Sequence, residues 1–355
     1  MINVTQTFLP SQDEFQTILE RAWSKGWMTN RGELVKELED KLKVYLRIPN
    51  IIAMTNGTLP IQIAIKVMGL KGEIITPAFS YVATTSSIVW EGCTPVFVDI
   101  HPEYLTIDES LIEAAITPLT TAILATHVFG NPCNVEEIAK IAKRHNLKVI
   151  YDAAHCFGVD YKGKSIFEYG DVSTCSFHAT KLFHTGEGGA LICNPELFDA
   201  MYFGHNFGHD GPEMFRGLGI NAKMSELQAA MGLSVLPYMD YILANRERVV
   251  SYYKDNLNHS NLKIREGTTW NFSYYPILFD SERELIQALA RLNAVNIFPR
   301  RYFYPSLDSL NYTLVANVPV THDITRRILC LPLSHNLEED SLSQIVGVIN
   351  NTHGK

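Results

Sequence analysis

Residues 172–193 read VSTCSFHATKLFHTGEGGALIC: a strand-like run over 172–177, a lysine at Lys181, a glycine-dense turn Gly186-Glu187-Gly188-Gly189, and a second strand-like run over 190–193. The same alternation continues upstream. Runs over 51–55, 73–76, 95–99, 122–126 and 148–151 have strand character, and stretches of helical periodicity stand between them, such as 59–68 and 134–145, with 33–45 in the N-terminal arm. Strands that alternate with helices imply crossover units and a largely parallel sheet. After Gly219 the character changes. Helical patterns over 224–233 and 238–257 lead into strand-like 270–279, helical 282–292, strand-like 295–298 and helical 338–350. The expectation is an α/β protein with a large lobe over residues 1–240 and a smaller α+β lobe over 241–355.

Composition narrows the function classes. The chain has 355 residues, 46% apolar and 19% charged, enough for two lobes of an ordinary globular protein. Its net charge of −8 argues against general attraction to nucleic acid. No apolar run approaches the roughly 20 residues that a membrane span needs, and the start of the chain lacks a basic segment followed by an apolar one. The six cysteines contain no CxxC pair, so no zinc site and no disulfide framework is expected, and a reducing cytoplasm is the expected setting. His205 and His209 could share a metal only on a helix, which Gly208 and Pro212 disfavour.

Ligands in open α/β sheets sit beyond the carboxyl ends of the strands, so the residues that follow each apolar run are informative. Asn56-Gly57-Thr58 follows the first run and precedes a helix; it is either a phosphate-binding turn or a plain helix N-cap. Asp152-Ala153-Ala154-His155 puts a carboxylate at a strand end, either to hold a cation such as a protonated pyridine nitrogen or to cap the next turn. Lys181, before the glycines, is either a desolvated amine suited to Schiff-base chemistry or a surface lysine beside a loop. The three together, in this order, are the parts that pyridoxal phosphate needs: an anion cradle, a pyridinium partner and a lysine.

At these residues the chain resembles the DegT/DnrJ/EryC1/StrS family of sugar aminotransferases, which are fold-type I pyridoxal-phosphate enzymes. The likeness runs over essentially the whole chain. It includes Thr29-Asn30-Arg31-Gly32, Asn56-Gly57-Thr58, Thr76-Pro77-Ala78-Phe79-Ser80-Tyr81, Asp152-Ala153-Ala154-His155, Ser176-Phe177-His178-Ala179-Thr180-Lys181 and Gly219-Ile220-Asn221-Ala222-Lys223-Met224-Ser225-Glu226, and is most specific over 176–189. The resemblance implies that Lys181 carries the cofactor, Asp152 pairs with its ring nitrogen, His155 lies near its phenolic oxygen and Tyr81 stacks on its ring. It also implies that Gly57, Thr58 and Ser176 bind the phosphate, that Leu59 stands among the cofactor contacts, and that Asn221 reaches the phosphate from the partner subunit of a homodimer. Thr29, Asn30, His178, Glu187, Lys223, Arg301 and Tyr302 are the implied substrate contacts. Lys223 departs from the arginine of many relatives, and Leu59-Pro60 from their small residues.

The implied reaction moves the amino group of L-glutamate to a nucleotide-linked 4-keto-6-deoxy sugar. The stretch Asn206-Phe207-Gly208-His209-Asp210-Gly211-Pro212-Glu213 most resembles enzymes that form dTDP-4-amino-4,6-dideoxyglucose. Amination at C3 and a non-catalytic sensor are the competing readings. Related dehydratases carry histidine where Lys181 stands. Arg300 and Arg301 either meet the nucleotide's diphosphate or form a solvated pair, and Tyr302, Phe303, Tyr304 and Pro305 either line the sugar pocket or pack between the lobes.

Overall fold

The computed structural model describes residues 1–351. Seven strands build the central sheet: β1 (Ile52–Met54), β2 (Glu73–Pro77), β3 (Thr94–Val98), β4 (Thr120–Thr126), β5 (Lys148–Asp152), β6 (Val172–Ser176) and β7 (Gly189–Cys193), in the spatial order β1-β7-β6-β5-β4-β2-β3. Each strand-like run of the large lobe supplies one of them, with its ends moved by a residue or two. The pairings from β6 to β3 are all parallel, whereas β7 is antiparallel to both β6 and β1. The reversal has a local cause: the link from β6 to β7 is an extended hairpin and not a crossover helix. Phe177 N–H donates to the Gly188 carbonyl at 2.8 Å and Ala179 N–H to that of Gly186 at 2.7 Å.

Helices cover both faces of the sheet, which is why its strands read as continuous apolar runs. Successive residues of β4 point into different cores: Ile123 and Ala125 into one, Ala122 and Leu124 into the other. Each buried Leu or Ile side chain contributes about 1.5–3 kcal/mol, so the period-two assignment to opposite faces fixes the register. The helix Glu33–Leu46 presents Leu34, Leu38 and Leu42 to the first core at helical spacing.

The start of that helix is capped from a distance. Gly32 has no side chain to offer, and the buried carboxylate of Glu226 accepts from Leu34 N–H at 2.7 Å and Val35 N–H at 3.2 Å. A Cβ on Gly32 would stand 2.7 Å from the Glu226 carboxyl carbon, so the approach requires glycine. Glu226→Ala leaves two buried donors without an acceptor. We expect a loss of about 2–4 kcal/mol, read as a lower denaturation midpoint; an unchanged midpoint would exclude this cap.

Beyond the sheet, the helix Met239–Asn256 contributes Met239 and Ile242 to the first large core and Val249, Val250 and Tyr253 to a separate one. That second core lies against a three-stranded antiparallel sheet of Ser260–Asn261, Tyr275–Leu278 and Ile328–Leu331, with helices Glu282–Ala294 and Glu339–Asn350. Two strand expectations shrink here. Only Tyr275–Leu278 of 270–279 is strand, because Trp270 Nε1–H donates to the Phe129 carbonyl and Asn271 Nδ2 to those of His155 and Phe157, tying this stretch to the large lobe. Of 295–298 only Ile297–Phe298 pairs, in parallel with Ile2–Asn3 at the chain's start. No helix among the described residues is long and apolar enough to cross a membrane.

Candidate active site

The segments that follow β1, β2, β5 and β6 meet in a cleft of about 380 Å³. β1 delivers Asn56, Gly57 and Thr58; β2 delivers Ser80 and Tyr81; β5 ends on Asp152 and continues to His155; β6 ends on Ser176 and continues to His178 and Lys181. Glu187 comes from the hairpin, and Tyr274, Arg300, Tyr302 and Phe303 close the cleft from the smaller lobe's sequence. A larger, more open groove of about 720 Å³, lined by Val44, Tyr45, Leu233 and Leu236, holds none of the residues singled out by sequence.

Asp152 is buried, and its two oxygens are held separately. Thr84 Oγ1 donates to Oδ2 at 2.6 Å, and Ala154 N–H donates to Oδ1 at 3.1 Å. Thr84 is itself fixed by Ser80, 2.7 Å away, and Ser80 by Thr126 at 2.9 Å. Burial pushes the Asp152 carboxyl above its usual range, against the opposing pull of Thr84, Ala154 N–H and the Lys181 charge. A carboxylate in that position gains from a cationic partner.

Lys181 follows the hairpin's first pairs, and its Nζ lies 5.8 Å from the centre of the Tyr274 ring. Burial lowers its pKa, and the nearby Tyr302 and Asp152 oppose that shift. More of the amine is therefore neutral and nucleophilic at a given pH than in an exposed lysine. His155 is held neutral by burial and by the Lys181 charge. Its Nδ1 accepts from Phe129 N–H at 3.0 Å, which assigns the ring proton to Nε2. The ring is nearly parallel to those of Phe303 and Phe129, with centroids 5.9 and 6.1 Å away.

At the β1 turn a Cβ on Gly57 would come within 2.8 Å of Ser176 Cβ, so glycine lets the turn close onto the end of β6. The Asn56 carboxamide oxygen accepts from both Thr58 N–H and Leu59 N–H at 2.9 Å. The Asn56 side chain thus closes a turn just ahead of the helix Leu59–Val67, whose N-cap, Thr58, makes no side-chain cap bond of its own; Thr58 and Ser176 both line the cleft. A hydroxyl pair beside a glycine, a buried carboxylate and a desolvated lysine fit a flat, phosphorylated heteroaromatic aldehyde.

Not every candidate converges. Leu59 is occupied with Asn56 through its amide, and Thr29, Asn30, Asn221 and Lys223 do not line this chain's cleft; Lys223 Nζ stands 4.8 Å from the Phe207 ring. Arg301 is turned aside: Nη2 donates to Glu282 at 2.6 Å and the guanidinium lies 3.7 Å from the Tyr304 ring centre. Thr84, Thr126 and Tyr274 were not legible as site residues, whereas Phe303 belongs to the aromatic cluster read as a candidate pocket lining. Thr84 sits in the helix Val82–Trp90 after Tyr81, where a threonine reads as an ordinary helical residue.

Comparisons with known proteins bear on the family. The family model of the DegT/DnrJ/EryC1/StrS aminotransferases matches residues 10–350. The chain is 43% identical to a dTDP-4-amino-4,6-dideoxy-D-glucose transaminase of Shigella dysenteriae, over 98% of each chain. It is 38% identical to one of Escherichia coli, again over 98% of each. Among solved structures, DesI in the presence of its TDP-sugar product superposes with a TM-score of 0.93 at 30% identity, covering 99% of this chain and 92% of that one. The chain belongs to the DegT/DnrJ/EryC1/StrS aminotransferase family.

Proposed function

We propose that this chain moves the amino group of L-glutamate to the C4 ketone of dTDP-4-dehydro-6-deoxyglucose, giving dTDP-4-amino-4,6-dideoxyglucose, with pyridoxal 5'-phosphate held on Lys181. The observation that carries the reading is the convergence of Lys181, Asp152 and the Gly57–Ser176 contact in one cleft. Aminotransferases of this family are pyridoxal-phosphate enzymes. The names of the Shigella and Escherichia relatives support the C4 position and the dTDP carrier.

When bound, pyridoxal phosphate supplies an electron sink that makes proton transfer at the amino-bearing carbon feasible. The chain's residues do the rest. Lys181 holds the cofactor through Nζ, and the same nitrogen, once released, takes the proton from the donor's Cα and returns one at the sugar's C4 in the second half. Asp152 keeps a proton on the ring nitrogen by its negative charge. His155, with Nε2–H as its donor, serves the phenolic oxygen, and Tyr81 at the cleft wall covers the ring. Thr58 and Ser176 hydroxyls bind the phosphate. His178, Glu187 and Tyr302 line the same cleft and are left as substrate contacts.

A homodimer with shared sites is part of the proposal. Asn221 is exposed, and the loop before it displays Phe207, Met214, Phe215 and Leu218 to solvent. Such a patch favours burial against a second chain, which would bring Asn221 and the Thr29-Asn30 segment to the partner's cleft. A cytoplasmic setting accords with six buried, unpaired cysteines. The test is direct. Purified protein, glutamate and a panel of keto sugar nucleotides should give a product whose NMR spectrum places nitrogen on C4; nitrogen on C3, or no product, would contradict the reading.

A further inference from the structure

Among the described residues the cleft is lined by one lysine, Lys181, and one arginine, Arg300. Their situations differ. Lys181 is committed to the cofactor in the aminotransferase reading, on which the following rests. The Arg300 side chain makes no hydrogen bond and no ion pair with any other described residue, and its guanidinium carbon lies 5.2 Å from the centre of the Tyr302 ring. The cleft's carboxylates do not neutralise it. Asp152 is held by Thr84 and Ala154 N–H, and Glu187 lies 3.6 Å from His178.

Arg300 is an exposed residue, but its backbone is fixed. Arg300 N–H donates to the Cys330 carbonyl at 3.1 Å, and Cys330 N–H donates back at 2.8 Å, so the arginine's backbone extends the edge of the small lobe's sheet. Its sequence neighbour shows the contrast. Arg301 is satisfied by Glu282 and stacked on Tyr304, on the side away from the cleft lining. Of this adjacent pair, only Arg300 offers an unpaired fork of donors to the cleft. A guanidinium backed by an aromatic ring and lacking a counterion suits two-point binding of a carboxylate or a phosphate.

The geometry points to Arg300 as the anion anchor of the cleft, receiving an oxyanion of the incoming substrate. That oxyanion is a carboxylate of the amino donor or the diphosphate of the sugar nucleotide; both present the paired oxygens that a guanidinium binds. Tyr302 acts as the shelf that holds the guanidinium in place.

Calorimetric titration of the cofactor-loaded protein with glutarate and, separately, with dTDP tests the assignment without needing turnover. Arg300→Gln should weaken one probe roughly 10- to 100-fold, the usual worth of a charge-assisted contact, while the absorbance of bound cofactor stays as in the wild type. Arg300→Lys should recover part of the loss. Selective weakening of glutarate identifies the donor carboxylate, and selective weakening of dTDP identifies the diphosphate. Equal affinity of wild type and Arg300→Gln for both probes would overturn the assignment, as would a wild type that binds neither. A wild type that binds the probes but never transaminates would sink the aminotransferase reading and leave Arg300 decided by the titration alone.

Discussion

Lys181→Ala abolishes turnover and leaves a protein that cannot hold its cofactor covalently. The expected loss is on the order of 10⁴-fold or more, because one nitrogen serves both as anchor and as the group that moves the proton. Two features make the loss specific. The Lys181 backbone belongs to the turn that opens the hairpin, with its N–H donating to the His178 carbonyl at 2.8 Å, so alanine preserves the fold there. Among the described residues no other lysine lines the cleft to stand in for it. Borohydride reduction followed by mass spectrometry checks the anchor: wild-type protein should gain the cofactor's mass on the peptide that contains Lys181, and the alanine variant should not. A variant that turns over at the wild-type rate would remove Lys181 from the mechanism.

Asp152→Asn is the second large effect. Asparagine matches the shape and can keep its contacts with Thr84 and Ala154 N–H, so the buried network from Thr126 through Ser80 should persist. What disappears is the charge. Burial alone raises the Asp152 pKa, and a bound cation at the ring nitrogen reverses that tendency by favouring the ionised acid. By linkage the carboxylate favours the protonated nitrogen equally, and a neutral amide cannot. The rate should fall roughly 10²- to 10³-fold, as when one preorganised electrostatic partner is removed. The fold and cofactor content should be retained. Steady-state rates beside cofactor absorbance separate the two; undiminished turnover would mean that Asp152 is only a structural cap.

Much of this was legible along the chain, for physical reasons. A sheet covered on both faces turns each strand into an uninterrupted apolar run, so all seven strands of the large sheet could be located. The position of a ligand beyond strand ends then singled out Gly57, Asp152 and Lys181, which converge in one cleft. The direction of β7 was not legible, since it depends on whether Phe177 to Gly188 folds as a hairpin or a crossover. The helix Gln12–Lys25 was missed although Ser11 and Glu14 form a capping box at its start. In the small lobe, strands of two to four residues leave too short a pattern to delimit. Arg300 and Arg301 are indistinguishable as neighbours in sequence; Glu282 and Tyr304, which claim one of them, approach only in the fold. Asn221 does not line the cleft, and the contact proposed for it across two chains would leave no local signature.

The Lys181–Asp152 cleft is proposed to accept an amino group from glutamate. Adding L-glutamate to the purified, cofactor-loaded protein tests this most directly, with the absorbance of the bound cofactor as the signal. The yellow protein should bleach on addition of glutamate and regain its colour with the keto sugar nucleotide. A protein that binds the cofactor and keeps its colour unchanged in glutamate would contradict it.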